Sequence, residues 1–159
     1  MTELVQRRAV RALILTPQGE LLLIRVLSPD GQIFWIAPGG GIEPSESVEE
    51  ALGRELKEEL GLVDYREGPV VWRRHHTFNW GERRISQREE YRIVNAERFE
   101  AAMGDAAEAA FATELKWWRV AELGQTSERL TPLSLATIVR EYLENGAPTE
   151  LPPEEVTVE

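Results

Sequence analysis

The stretch from residue 37 to residue 62 constrains the local structure more than any other part of the chain. It reads APGGGIEPSESVEEALGRELKEELGL, in which a proline and three successive glycines predict a sharply turning loop. Ser47 followed by Glu50 fits a capping box, which marks the start of a helix. Gly61 is a suitable C-terminal stop, so these residues predict a helix from about residue 48 to residue 60.

Three glutamates of this helix lie on or beside its predicted apolar face. On a wheel of about 100° per residue, Glu55 and Glu59 fall within the apolar arc and Glu58 lies next to it. The usual alternative is a solvated surface on which Arg54 pairs with Glu58. Ionised carboxylates that face a core are costly unless they are paired or bind a metal. Because the chain has no cysteine, an oxygen-only site for Mg²⁺ or Mn²⁺ is the prediction.

The spacing of these residues resembles the signature of the Nudix hydrolases. Gly40, Glu46 and the run from Arg54 to Leu62 match all nine fixed positions of the Nudix box, GX5EX7REUXEEXGU, across 23 residues. The preceding WIAPGG is similar to the family's usual entry into the box, and the strand order is similar over about residues 8 to 143. Ser45 departs from a common glycine in the loop, which affects no chemistry.

The resemblance implies metal-dependent hydrolysis, by water attack on phosphorus, of a nucleoside diphosphate linked to another moiety. Arg54 would orient the box carboxylates, and Glu46 would support the loop and helix by hydrogen bonding, together with Gly40 and Gly61 as structural positions. Glu55 and Glu58 would act in catalysis through the metal. The implied metal ligands are Glu55, Glu58, Glu59 and, as an extra ligand, the carbonyl of Gly39.

The resemblance does not identify the general base, because in this family the base is sometimes a box glutamate and sometimes an acid outside the box. Glu89 is preferred over Glu90, since two-residue alternation puts Glu89 on the apolar face of its strand. Glu114 precedes WWRV, where related proteins often carry an acid, so it resembles a fourth metal ligand or base more closely. Both acids also fit a simpler interpretation as surface or ion-paired residues.

Residues 73–84, RRHHTFNWGERR, form a basic and aromatic patch in an acidic chain. The functional interpretation is a substrate wall in which cations bind phosphate and rings stack on a base, and the alternative is a solvated hairpin. Adjacent His75 and His76 are expected on opposite faces of a strand, so they make a poor metal pair. The predicted substrate-binding residues are Arg73, Arg74, His76 and Phe78.

Two substrate-specific groups of Nudix enzymes are not indicated by their sequence signatures. Residues 77–80 hold neither the proline typical of ADP-ribose pyrophosphatases nor the tyrosine typical of diadenosine-polyphosphate hydrolases. A MutT-like enzyme acting on nucleoside triphosphates or other nucleotide derivatives is therefore the leading hypothesis. The alternatives are a nucleotide-sugar or RNA 5′-end pyrophosphohydrolase and, in another class, a non-catalytic nucleotide sensor.

Length, charge and hydrophobicity predict the number of domains, the kind of partner and the location of the protein. A chain of 159 residues predicts one domain, over residues 1–144, followed by a mobile acidic tail over residues 145–159. The net charge of -10 argues against general nucleic-acid binding, and a small nucleotide is the expected partner. No apolar run reaches about 18 residues, so no membrane span and a cytoplasmic location are expected. The resemblance is also compatible with a homodimer.

Apolar runs and turn signals predict the rest of the fold. Two β-hairpins flank the central helix, and a further strand and a C-terminal helix follow. This order predicts an α+β fold, an α/β/α sandwich around a mixed β-sheet. The predicted hairpin strands are 8–16 with 20–27 and 69–79 with 84–95, the later strand is 114–120, and the last helix starts at residue 131.

Overall fold

The computed structural model describes residues 3–104 and 111–159 of the chain. Within these residues the chain forms nine strands and three helices. The strands are β1 (Leu4–Leu15), β2 (Glu20–Leu27), β3 (Ile33–Ile36), β4 (Gly39–Gly41), β5 (Arg66–Trp80), β6 (Arg83–Asn95), β7 (Ala112–Arg119), β8 (Leu130–Thr131) and β9 (Glu155–Val158). The helices are α1 (Val48–Leu60), α2 (Val120–Leu123) and α3 (Leu135–Asn145).

The strands form one mixed sheet in the order β8-β3-β2-β1-β6-β5-β9. In addition, β4 pairs with β1 and β7 pairs with β2. The pairs β1 with β6, β3 with β8 and β5 with β9 are parallel, whereas both hairpins, β1 with β2 and β5 with β6, are antiparallel. The predicted α+β architecture with a mixed sheet is therefore confirmed.

Side-chain alternation along β1 separates two hydrophobic cores. Leu13 and Leu15 belong to a core that contains α3 residues, whereas Ala12 and Ile14 belong to a core that contains α1 residues. Neighbouring residues of a strand point to opposite faces, so the two helices pack on opposite sides of the sheet. None of the three helices within the described ranges is long and apolar enough to span a membrane.

Helix α1 begins and ends as its local sequence predicts. The Ser47 side chain accepts a hydrogen bond from the Glu50 amide, and the Glu50 side chain accepts one from the Ser47 amide, which completes the capping box. Gly61 adopts a left-handed conformation with φ of 66°, its N–H donates to the Lys57 carbonyl at 2.9 Å, and the Leu62 N–H donates to the Leu56 carbonyl at 3.1 Å. Local signals at both ends therefore fix the register of the helix that carries the box glutamates.

Three segments differ from the sequence-based expectations. Helix α3 starts at Leu135 rather than at residue 131, because Leu130 and Thr131 pair with β3 as a strand. Residues 155–158 were expected in a mobile tail but form β9 on the open edge of β5, where unpaired backbone groups accept another strand. Residues 97–112 were ambiguous between loop and helix: residues 101–104 have no regular structure, and 105–110 lie outside the described residues.

Candidate active site

A cavity of about 380 Å³ lies between the β1-β6-β5 part of the sheet and the β2-β3 part. One box glutamate, Glu59, reaches its lining from α1. Charged and polar side chains of β1, β5 and β6 line it together with aromatic rings. The lining residues used below are Arg11, Arg74, His76, Phe78, Glu89 and Arg129.

Arg54 is the centre of the hydrogen-bond network around the box. Its Nε and Nη2 donate to Glu46 Oε2 and Oε1 at 2.6 and 2.7 Å, a two-bond contact that fixes the guanidinium plane. Nη2 also donates to the Gly41 carbonyl at 2.9 Å, which ties the loop to the helix. Nη1 donates to Glu55 Oε1 at 2.9 Å and to Glu58 Oε2 at 3.5 Å. Arg54 therefore connects Glu46, the loop carbonyl of Gly41 and the carboxylates of Glu55 and Glu58.

The same contacts set the charge states of this network. Hydrogen bonding from Arg54, followed by the backbone N–H of Glu43, lowers the pKa of Glu46 to about 2. Hydrogen bonding to Glu46 in turn raises the pKa of Arg54 above its already high value. Both groups are therefore charged near neutral pH, and the orientation of Arg54 does not depend on pH there.

The glycines of the loop are required by close approach of box side chains and backbone. A Cβ placed on Gly40 would lie 2.5 to 2.6 Å from the carboxyl atoms of Glu55. Gly39 has φ of 140°, and a Cβ there would lie 2.1 Å from the carbonyl oxygen of Val10. The Gly39 N–H donates to Glu59 Oε1 at 3.2 Å. The loop therefore packs closely against the Glu55 carboxylate and donates a hydrogen bond to Glu59.

We expect Gly40→Ala to reduce hydrolysis by about 10- to 100-fold while leaving thermal stability nearly unchanged. The added methyl would push the Glu55 carboxylate off its position beside Gly40, and that carboxylate is the flexible end of a side chain, so the backbone need not move. Steady-state kinetics and thermal unfolding measure the two effects. The matched control is Gly124→Ala, where the nearest atom to the added Cβ is 3.9 Å away. Full activity of Gly40→Ala would contradict the positioning of Glu55.

A buried ion-pair network connects the cavity wall to the loop. Glu89 is 5% exposed and accepts from Arg74 Nε at 2.7 Å and from Arg11 Nε at 3.4 Å. Arg11 Nη1 also donates to the carbonyl of Gly39 at 3.3 Å, and Gln87 Nε2 donates to Glu89 Oε2 at 3.1 Å. Glu89 therefore supports the loop through Arg11.

Electrostatics keep Glu89 ionised. Burial raises its pKa, but the charges of Arg74 and Arg11 outweigh burial and leave the pKa below its usual value. Burial, then the charge of Glu89, raises the pKa of the neighbouring Tyr91 hydroxyl, which accordingly stays protonated and donates to Glu89 Oε1 at 3.4 Å. Since protein donors already engage both oxygens of Glu89, that carboxylate is poorly suited to accept a proton from water.

His76 and Phe78 form an aromatic surface on the cavity wall. Their ring centroids are 4.5 Å apart, and the rings are inclined by 30°. Burial, followed by the charge of Arg74, lowers the pKa of His76, so the ring is mainly neutral at neutral pH. His75 lies on the other face of β5 and contacts Ser86 Oγ at 2.7 Å, as alternation predicts.

Arg73 was expected to bind substrate, and the structure corrects this expectation. Its Nη2 donates to the Pro152 carbonyl at 3.0 Å, and it does not belong to the cavity lining. Arg74, the next residue, does line the cavity. The reason is the strand geometry, which sends neighbouring side chains to opposite faces.

Glu114 was expected as a fourth ligand or base, and this expectation also needs correction. Leu115 and Trp117 pack with the core that contains α1, whereas Trp118 belongs to the opposite core. Glu114 lies four residues before Trp118 and so shares its face of β7, which means that its exposed side chain points away from α1. In the strand register it lies opposite Arg25. The structure does not bring Glu114 to the box glutamates.

The donor set around the box suits a hard divalent cation, since it consists of carboxylate oxygens and the Gly39 carbonyl. Glu55 and Glu59 are mostly buried, whereas the side chain of Glu58 is 53% exposed and faces solvent. Across the described ranges, no three acidic or histidine side chains already converge on one point. The chemistry of the donors fits such a cation, and the fixed carboxylates in this arrangement are Glu55 and Glu59.

Comparisons with known proteins agree on one family and one fold. A family profile described as NUDIX domain matches residues 5–143. The fold is similar to the crystal structure of the MutT protein from Methanosarcina mazei Go1, with a TM-score of 0.61, 21% identity, and coverage of 91% of this chain and 97% of that one. It is also similar to the NUDIX domain of Shewanella oneidensis NrtR complexed with ADP ribose, with a TM-score of 0.63, 21% identity, and coverage of 87% and 89%.

Curated relatives match over shorter regions. An RNA pyrophosphohydrolase of Hahella chejuensis is 44% identical over 73 residues, which cover 43% of this chain and 44% of the relative. Nucleoside triphosphatase NudI of Enterobacter sp. is 42% identical over 60 residues, covering 36% and 42%. The human 8-oxo-dGDP phosphatase NUDT18 is 45% identical over 53 residues, covering 33% and 16%. The matched region thus spans less than half the length of these relatives.

Proposed function

Since the chain belongs to the Nudix family, we propose that it is a hydrolase that cleaves nucleoside triphosphates or related nucleoside diphosphate derivatives with Mg²⁺ or Mn²⁺ as cofactor. The observation that carries this proposal is the continuous cavity, which joins Glu59 of the box helix to the cationic and aromatic wall of β5 and β6. Such a cavity can hold the phosphates near the box while the nucleoside contacts the wall.

Glu55, Glu58 and Glu59 would hold the metal, with the Gly39 carbonyl as an additional ligand. When bound, the metal supplies charge neutralisation at the phosphates and a more acidic water. The exposed Glu58 is the carboxylate that can turn toward the other two, since its contact with Arg54 is long, at 3.5 Å. Arg54 keeps Glu55 in place, and the Gly39 N–H keeps Glu59 in place.

We assign the base to the box rather than to Glu89. A general base needs an oxygen that can accept a proton from the attacking water. Both oxygens of Glu89 already accept from Arg74, Arg11, Gln87 and Tyr91, so its contribution is to position Arg11 and the loop. Glu58 has the most accessible carboxylate of the box and is our choice for the proton acceptor.

The size and charge of the cavity favour a small nucleotide over a long polymer. About 380 Å³ lies within the range of ligand pockets for small molecules. Arg74 provides positive charge, and the stacked rings of His76 and Phe78 provide a surface for a base. The names of the curated relatives describe phosphatases and pyrophosphohydrolases of nucleotides or RNA, which supports a phosphoanhydride substrate. The net charge of -10 favours free nucleotides over long RNA.

A panel of nucleotides with product identification tests the proposed function. Purified protein with Mg²⁺ is incubated with nucleoside triphosphates, an oxidised purine nucleotide, a nucleotide sugar and 5′-triphosphorylated RNA, and the products are separated by chromatography. We expect release of phosphate or pyrophosphate from a free nucleotide. Turnover of only the RNA would favour the RNA 5′-end alternative, and binding without turnover of any panel member would favour the nucleotide sensor.

A further inference from the structure

Strand β9 carries an acidic side chain to the cavity. It pairs in parallel with Arg74 to Thr77 of β5, and the Glu159 N–H continues this pairing by donating to the Thr77 carbonyl at 2.9 Å. Glu159 therefore lies level with Phe78, four residues and about 13 Å beyond Arg74 along the wall. Its side chain is part of the cavity lining.

Three donors from separate parts of the fold converge on Glu159. His76 Nε2 lies 3.0 Å from Glu159 Oε2, and the Arg129 guanidinium forms a short contact with Oε1. Arg84 Nη1 donates to the main-chain oxygen of Glu159 at 3.1 Å. Arg129 is itself held in place, because its carbonyl accepts from the Trp35 N–H at 2.9 Å. The two donors on the carboxylate, an arginine guanidinium and an imidazole N–H, form a set that suits phosphate or carboxylate oxygens.

We propose that His76 and Arg129 form a second anion-binding subsite at the end of the cavity away from the box, and that Glu159 occupies it as an internal carboxylate. The ligand of this subsite is a phosphate or carboxylate group at the far end of a bound nucleotide derivative. This inference rests on the proposed function for the identity of the rest of that ligand. The consequence is that Glu159 selects against substrates with a second anionic end.

The contacts of Glu159 are weak enough for a ligand to replace them. The side chains of Glu159 and Arg129 are 40% and 39% exposed, and half-exposed ion pairs contribute little. Strand β9 buries little apolar surface, since Val156 and Val158 are 67% and 68% exposed. A doubly charged phosphate brings more charge and more acceptor oxygens than one carboxylate, so it competes effectively for the same donors.

Binding of inorganic phosphate to the metal-free protein tests the inference. Removal of divalent metal by a chelator keeps the box from binding the anion. Calorimetry then measures phosphate affinity, and the NMR signals of the His76 ring show whether phosphate binds at the subsite. We expect Glu159→Gln to bind phosphate about five- to tenfold more tightly than the wild type, because one repelling charge is removed. The double variant Glu159→Gln/Arg129→Gln should lose this gain.

The matched control is Glu154→Gln, which removes a carboxylate from an exposed pair with Arg88 next to β9 but outside the cavity lining. It should bind phosphate as the wild type does. Equal or weaker phosphate binding by Glu159→Gln, or a gain that persists in the double variant, would overturn the subsite. Because no turnover is measured, either result is independent of whether the nucleotide panel succeeds.

Discussion

Replacement of Glu58 by glutamine is expected to lower nucleotide hydrolysis by about 10²- to 10⁴-fold, the range for loss of a general base. The amide cannot accept the proton and is a weaker ligand for a hard cation. The side chain is 53% exposed and has one long contact with Arg54, so the free energy of unfolding should change by less than about 0.5 kcal/mol. Steady-state kinetics and denaturant titration measure the two effects.

The control for this prediction is Glu141→Gln on α3, which makes the same chemical change at an exposed position far along the chain from the box. It should retain wild-type turnover and stability. Turnover of Glu58→Gln within a factor of about three of the wild type would contradict the role of the box carboxylates, since even one weak catalytic contact exceeds this factor.

The largest stability effect is expected for Glu89→Leu, which should lower the free energy of unfolding by about 3 to 5 kcal/mol. Arg74 and Arg11 would both remain buried with one partner fewer, and a buried charge without its counter-charge is costly. Urea-induced unfolding followed by fluorescence measures the loss. Activity should fall as well at temperatures where the variant is folded, because Arg11 also contacts the Gly39 carbonyl.

Glu90→Leu is the matched control for Glu89→Leu, since the two residues are neighbours on β6 and face opposite sides. Glu90 pairs with Arg92 at 2.6 Å on a partly exposed surface, and Arg92 keeps Glu49 as a second partner. We expect a loss of about 1 kcal/mol or less. Similar losses of unfolding free energy for the two variants would show that burial does not determine how much the Glu89 network contributes to stability.

Local signals were sufficient where structure is determined by neighbours in sequence. The capping box at Ser47 and the left-handed Gly61 fix α1 from residue 48 to residue 60, as predicted. The same helix periodicity placed Glu55 and Glu59 toward the interior, and both are mostly buried. Alternation on β6 likewise distinguished Glu89 from Glu90 correctly.

Sequence reasoning failed where a choice depended on distant parts of the chain. Arg73, Arg74, His76 and Phe78 of the basic patch were all assigned to substrate, although neighbouring residues of a strand point to opposite faces, so Arg73 was wrongly included with Arg74. Glu114 was selected by resemblance to related proteins, and the pairing of β7 with β2 directs it away from α1. β9 pairs with the edge of β5, and no local pattern in the proline-containing C-terminal segment indicates that pairing.

Two arginines of the cavity lining were missed for different reasons. Arg11 could have been noticed, because an arginine between Val10 and Ala12 interrupts a run of otherwise fully buried apolar residues, and such a cation needs a buried partner. Arg129 gave no comparable signal, since it stands in a polar connection before β8 and approaches the cavity only through the β3–β8 pairing.

Measurement of Mn²⁺ binding tests whether the box glutamates form a metal site, and it does not depend on the choice of substrate. Free Mn²⁺ is monitored by electron paramagnetic resonance during titration of the wild type, Glu58→Gln and the control Glu141→Gln. We expect saturable binding to the wild type and the control, and affinity at least about tenfold weaker for Glu58→Gln. Equal Mn²⁺ affinity in all three proteins would contradict a metal site built from the box glutamates.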